Sequence, residues 1–287
     1  MNNRVTLVGN LILDTVYLVP GAVKANTSNE CKSSYESAGG IFNLVGPLKK
    51  RGREVELISR VGKDRVGQVI KELIAEVPSN LRIDDGSSSS AVIISSLHSN
   101  QRTSFVSWGA CTRQDLKTVR HKDWVHLCYL DRMPYIDKNT MKMLRHQNQR
   151  VHVSADLCLE EHSEAERKRI LDCLPYIDYL FLSETEAVSL CDNLDRAETA
   201  KQLGGSVRNC CIIHSPEHSL VSDGVRLLFN QVEDIVDGVN VLGAGDMLCA
   251  HVIGDLFDSS KNISEVTSSV SRAHKKISET FRKQLDD

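Results

Sequence analysis

Val151-His152-Val153-Ser154, followed by a helix-patterned stretch over 160–173 and then by Tyr179-Leu180-Phe181-Leu182, decides the fold class. Two short runs rich in β-branched and apolar residues flank a polar and apolar repeat with the three- and four-residue spacing of a helix. The alternation continues in both directions. Strand-like runs lie at 5–8, 55–58, 124–128 and 210–213, and helix patterns at 43–50, ending at Arg51-Gly52, at 137–149 and at 266–281. Strands that alternate with helices predict an α/β fold, a mainly parallel central sheet flanked by helices. Two stretches depart from this pattern: 14–34 and 87–108 hold strand-like runs with no helix between them, and read as a small β-sheet lid. Ser87-Ser88-Ser89-Ser90 reads as a short exposed turn before a strand at 91–96. With no internal repeat and no long flexible linker, residues 1–287 read as a single domain.

Composition narrows the functional classes. The chain has 287 residues, 41% hydrophobic and 25% charged, enough to bury a sizeable core. A formal net charge of −3 and a pI of 6.4 offer no global attraction to nucleic acid or to an anionic membrane. Aromatic residues are only 5%, and no basic stripe with interleaved aromatics is present for nucleic-acid recognition. No run approaches the roughly eighteen consecutive apolar residues of a membrane helix, and the amino end leads directly into a strand, so the chain reads as cytoplasmic. The nine cysteines form no CxxC pair and no zinc-like ligand spacing, and read mostly as buried thiols. The P-loop, HExxH and GxSxG patterns are absent.

Chemistry concentrates in Gly243-Ala244-Gly245-Asp246, which follows residues 239–242 and reads as a loop of small residues opening the apolar helix pattern of 247–253. Backbone amides at a helix start point into the space ahead of it, and small residues let the main chain approach an oxyanion or phosphoryl group. A carboxylate held beside those amides can take a hydroxyl proton as attack begins. The same four residues also read as a tight turn in which Asp246 complements the helix dipole.

With this segment and three others in register, the sequence resembles the ribokinase-like (PfkB) family of carbohydrate and nucleoside kinases over nearly its whole length. Val8-Gly9-Asn10-Leu11-Ile12-Leu13-Asp14 looks like the family's first strand with its closing, substrate-binding aspartate, here Asp14. Ala38-Gly39-Gly40-Ile41-Phe42-Asn43 looks like its Gly-Gly substrate loop, and residues 60–67 like the strand-to-helix turn that follows. The resemblance implies a three-layer ribokinase-like fold and ATP-dependent transfer of a phosphoryl group to a hydroxyl of a small sugar, sugar phosphate or nucleoside. Asp246 would be the base, and the amides of Gly243, Ala244 and Gly245 the anion hole. Asp14, Gly39, Gly40 and Asn43 would bind the acceptor. From the residues alone, Asp14 reads as a turn residue and Asn43 as a helix cap.

Leu182-Ser183-Glu184-Thr185-Glu186-Ala187 looks like the family's Asn-x-x-Glu segment, which implies that Ser183 and Glu186 serve the nucleotide and that Glu186 reaches Mg2+ through water. Ser183 and Glu186 also spell a helix capping box. The resemblance further implies MgATP as cofactor and homodimerisation through the lid. Departures fall on the nucleotide and ion side: Ser183 replaces asparagine, Asn240 replaces aspartate, and His214, Pro216 and Ser219 replace a threonine and glycines. Proline removes a backbone donor, while the His214 imidazole can supply one to the nucleotide. The monovalent-cation site of many members is therefore not expected to carry over. The alternative is a kinase-fold ligand-binding or regulatory protein with weak or no catalysis. Arg102 or Lys63 near the pocket would favour a phosphorylated acceptor.

Overall fold

Alternate side chains of the buried strands point into two separate apolar layers, as the two-residue period of a strand requires. The computed structural model describes residues 3–24, 26–96, 102–119, 122–148, 150–158, 161–191, 195–236, 242–257 and 262–286. Its first half contains β1 (Arg4–Gly9), β2 (Leu11–Val19), β3 (Ser33–Gly40), α1 (Val45–Lys50), β4 (Glu54–Gly62), α2 (Arg65–Leu73), β5 (Ser79–Asp84), β6 (Ser89–Ser96) and β7 (Arg102–Ser107). Next come β8 (Trp124–Cys128), α3 (Lys138–Gln147), β9 (His152–Asp156), α4 (Glu164–Cys173), β10 (Tyr179–Ser183), α5 (Glu184–Cys191) and α6 (Arg196–Ser206). The chain closes with β11 (Cys210–His214), β12 (His218–Ser222), β13 (Leu227–Gln231), α7 (Ala244–Leu256) and α8 (Ile263–Asp286).

A nine-stranded sheet runs in the order β13-β12-β11-β10-β9-β8-β1-β4-β5, parallel from β11 to β5 and antiparallel at the β11–β12–β13 end. Trp124, Cys128, Tyr179, Phe181 and Ile212 pack into one face with α1, α2, α7 and α8. Val125, Leu127, Leu180, Leu182 and Ile213 pack into the other with α3 to α6. Because both faces are covered, these strands are apolar almost throughout, which is what made them readable. A second sheet, β3-β2-β6-β7, stands apart from the first.

Several boundaries differ from the sequence reading. Residues 8–14 do not form one strand: Gly9, at φ 150°, ends β1, and Asn10 N–H donates to the Cys128 carbonyl at 2.7 Å. A Cβ at Gly9 would lie 1.7 Å from that carbonyl oxygen, so only glycine permits the crossing into the second sheet. Asp14 consequently sits inside β2 rather than at the end of the first strand. Likewise Gly39 and Gly40 finish β3 and are not a loop.

The second sheet begins at Leu11 and includes 33–40, beyond the 14–34 expected, because β3 pairs with β2 along its whole length. The helix read over 160–173 begins at Glu164, where Ser163 and Glu166 form a capping box; residue 160 lies outside the described residues. The helix read over 137–149 is α3, capped by Asp137; residue 149 also lies outside them. The last helix extends over Ile263–Asp286 rather than 266–281. Ser88 and Ser89 are buried, not an exposed turn, because Ser88 bonds Asp64 through both its amide and its hydroxyl. All nine cysteines are free thiols, six of them buried. No described helix is long and apolar enough to cross a membrane.

Leu180 has no exposed surface in the middle of the large sheet. Leu180→Ala is expected to cost about 2–5 kcal/mol, read as a lower midpoint of urea unfolding at unchanged slope. A loss under about 1 kcal/mol would mean that this layer is loosely packed.

Candidate active site

The parallel strands all run toward the same edge of the sheet, and their carboxyl ends carry Asp156 from β9, Ser183 from β10 and His214 from β11. In an open α/β sheet this edge is where ligands bind. A cavity of about 850 Å³ opens there, and its lining includes all three residues together with Asp14, Gly40, Asn43, Glu186 and residues 243–246. Segments distant in the sequence thus meet around one space.

The start of α7 forms one wall. Gly243 is the N-cap, in a left-handed conformation at φ 76°, and it offers no side-chain cap. Among the described residues, the first amides of the helix therefore have neither an intrahelical acceptor nor a capping oxygen, and they remain available to an anion. Asp246, in the first turn, is buried. Its Oδ2 accepts from Asn43 Nδ2 at 2.8 Å and its Oδ1 from the Tyr129 hydroxyl at 3.3 Å. Burial, reinforced by the nearby charge of Asp156, raises the Asp246 carboxyl to about 7, against the lowering effect of its two donors and of His126. Asn43, read as an acceptor ligand, therefore also orients Asp246.

Asp14 faces the cavity from the second sheet, buried to 7% exposure. Desolvation and then repulsion from Asp246 raise its carboxyl to about 7, with Arg102 pulling the other way. Gly40 lines the cavity, but Gly39 does not. A Cβ on Gly39 would stand 2.0 Å from Asp14 Oδ2, so Gly39 makes room for that carboxylate. Arg102 reaches the cavity from β7, whereas Lys63 stays in the β4–α2 turn, outside the lining.

Ser183, Glu186 and His214 line the cavity where β10 and β11 end. Ser183 Oγ accepts from the Glu186 amide at 3.2 Å and Glu186 Oε2 accepts from the Ser183 amide at 2.7 Å, so the capping box is real even though both residues line the cavity. Burial raises Glu186 to about 8, with Asp156 and Asp131 adding repulsion. His214 packs its ring against Gly245, and loss of solvent holds its imidazole down at about 4, in the neutral form. Pro216 also lines the cavity, while Asn240 lies outside the described residues.

Sequence reasoning missed Tyr129 and Asp156. Both follow from a rule the sequence already offered, since 124–128 and 151–154 read as strands of a mainly parallel sheet and the residues just past their carboxyl ends belong to the ligand edge.

A family model for pfkB family carbohydrate kinases matches residues 2–274. Comparison with curated proteins finds no match. Among solved structures, adenosine kinase from Sinorhizobium meliloti superposes with a TM-score of 0.77 at 16% identity, covering 96% of this chain and 93% of that one. Adenosine kinase from Anopheles gambiae, in complex with a di(adenosine) tetraphosphate, gives 0.74 at 14% over 96% and 92%. Ribokinase from Arabidopsis thaliana, complexed with ribose and ATP, gives 0.72 at 17% over 96% and 92%. At these identities the likeness shows a shared ribokinase-like fold.

The raised carboxyl of Asp246 has a stability consequence of definite sign. The unfolded chain loses this proton near the ordinary 3.8 and the folded chain near 7, so the folded state binds more protons between those values and stability falls as pH rises through that window. Asp246→Asn, which keeps the shape without the charge, is expected to unfold at higher urea than the parent at neutral pH, with the gap shrinking toward pH about 4. A gap independent of pH would show that Asp246 ionises as readily in the fold as outside it.

Proposed function

Because the chain belongs to the pfkB family of carbohydrate kinases, we propose that it transfers the γ-phosphoryl group of ATP to a hydroxyl of a small sugar, sugar phosphate or nucleoside. One observation carries this reading: a buried carboxylate and an uncapped helix start face the same cavity as Asp14 and Glu186. Asp246 takes the proton of the acceptor hydroxyl as its oxygen attacks the γ-phosphorus, and a carboxyl titrating near 7 suits that transfer. Asn43 and Tyr129 hold it in place. The amides of Gly243, Ala244 and Gly245 stabilise charge on the transferring group, at the position where it develops. Asp14 and Gly40 orient the acceptor, with Gly39 making room for Asp14. The second sheet acts as a lid over that side and excludes water.

Magnesium suits the side that carries Glu186. Glu186 lines the cavity, and burial together with the acids beside it raises its carboxyl to about 8, a crowding of negative charge that a dication relieves. Magnesium keeps several waters and uses few protein carboxylates, so Glu186 would hold it through water, where it neutralises phosphate charge. Ser183 and the His214 imidazole complete the nucleotide side. Thr15, Tyr17, Val92 and Phe105 share one face of the second sheet by register, and Tyr17, Val92 and Phe105 are exposed large hydrophobics there, the surface a second copy would cover.

A second reading, a binding protein with the fold but little turnover, draws support from Pro216, which lines the nucleotide end without an N–H to offer.

Turnover of MgATP across pentoses, hexoses, sugar phosphates and nucleosides tests the first reading. Asp246→Asn is expected to lower acceptor-dependent kcat by about 10²–10⁴-fold. Undiminished turnover in the variant would remove Asp246 as the base, and acceptor binding without turnover by the parent protein would favour the second reading. Light scattering is expected to show a dimer that Phe105→Asp dissociates; a parent protein that is monomeric at working concentration rules the dimer out.

A further inference from the structure

Beneath the cavity, on the sheet face that carries Trp124 and Tyr179, three side chains of different chemistry converge. His126 and Cys128 are two residues apart on β8 and so share a face of the strand, while Asp156 ends the neighbouring β9. The imidazole nitrogen, the thiol sulfur and a carboxylate oxygen all lie within 4.8 Å of one another. His126 and Cys128 have no exposed surface and Asp156 has 6%.

Buried polar atoms normally find partners, yet among the described residues two here do not: His126 Nε2 and Asp156 Oδ1 are buried without a hydrogen bond. The other imidazole nitrogen is occupied, since His126 Nδ1 lies 2.9 Å from Ser154 Oγ, and the same oxygen accepts from Trp124 Nε1 at 2.9 Å. The tautomer that donates its Nδ1 proton to Ser154 leaves Nε2 with a lone pair for a metal, the outer arrangement that typically orients a metal-bound histidine.

We propose that His126, Cys128 and Asp156 form a binding site for one borderline-soft divalent ion, zinc, at the floor of the cavity. The donor set selects the ion. Magnesium and calcium take oxygen ligands, whereas nitrogen, sulfur and oxygen together suit zinc. Ligand atoms around tetrahedral zinc stand roughly 3.5 Å apart. His126 Nε2 and Asp156 Oδ2 are already 3.4 Å apart, and the cluster as a whole, within 4.8 Å, contracts toward the ion. Charge also balances, because a dication offsets one thiolate and one carboxylate, a neutral unit that burial tolerates. Asp156 is the ligand that lines the cavity, so the fourth position of the ion opens on that side, to water or to an oxygen of a bound molecule. The site is separate from the magnesium role of Glu186 and does not depend on the phosphoryl-transfer reading.

Cobalt(II) replaces zinc and reports its ligands by absorption. The full-length protein, stripped with chelator and titrated with cobalt(II), is expected to bind one equivalent with a thiolate-to-metal charge-transfer band in the near ultraviolet, displaced by zinc. Cys128→Ser is expected to lose the band, while Cys158→Ser, which alters the thiol that lines the cavity, keeps it. Ser154→Ala, which removes the partner of His126, is expected to weaken zinc binding about 10–100-fold. The parent spectrum decides even if a buried variant fails to fold: cobalt bound through oxygen ligands alone, with no thiolate band, overturns the proposal. So does a band that survives Cys128→Ser. Turnover with MgATP is measured independently and can succeed or fail without altering either result.

Discussion

The burial of one carboxylate organises this structure. Asp246 sits in the first turn of α7, where the helix dipole favours negative charge, but almost out of water, where charge is disfavoured. The two effects leave it poised near neutrality. What fixes its geometry comes from elsewhere: Asn43 from the short turn after β3, and Tyr129 from the exit of β8. Each anchor belongs to an element that also packs into the core beside α7, with Ile41, Leu44 and Cys128 in the same apolar layer as Leu248 and Val252. Moving any of these elements would therefore move the Asp246 carboxylate. Gly243 completes the constraint, because a left-handed cap without a side chain turns the chain sharply while leaving the helix amides uncovered.

The parallel sheet explains why so many acids crowd together. Every strand from β11 to β1 ends at the same edge, so Asp156 and Glu186 arrive from adjacent connections while Asp14 enters from the second sheet. Burial raises the Asp246, Glu186 and Asp14 carboxyls, and Asp156 adds to the first two while Asp246 adds to the third. Such mutual repulsion is costly in a cavity that holds only anions, and it suits one that accepts cations or hydroxyls. His214, held neutral against Gly245, adds no positive charge to offset it.

The strands and helices of the large sheet were legible because burial on both faces leaves an almost continuous apolar run, as at 179–182 and 210–213. Asp246 was legible because the Gly-Ala-Gly frame and the helix it opens are contiguous. The reading failed where a single residue redirects the chain. Gly9 sends residues 11–19 into a different sheet, and no local pattern distinguishes that crossing from a continuous strand. It also failed where serine meets a distant acid: Ser88 looks like a turn residue until Asp64, itself the cap of α2, is placed beside it. Tyr129 and Asp156 fall between these cases, since strand direction puts them at the site but their partners are set by sheet order.

Sheet order also limits what cysteine spacing can exclude. Zinc-like spacing rules describe ligands brought together by a turn or a helix, where sequence distance and spatial distance agree. On neighbouring parallel strands that agreement is lost, because a crossover of many residues separates side chains that lie next to each other. His126 and Cys128 are paired by the two-residue period of one strand, and Asp156 joins them only because β9 lies beside β8. Had the edge order been different, the same sequence would have buried three unrelated polar groups, each needing its own partner. The placement of β9 against β8 is therefore what makes the cluster chemically coherent, and the same pairing delivers Asp156 to the wall of the cavity that Asp246 faces.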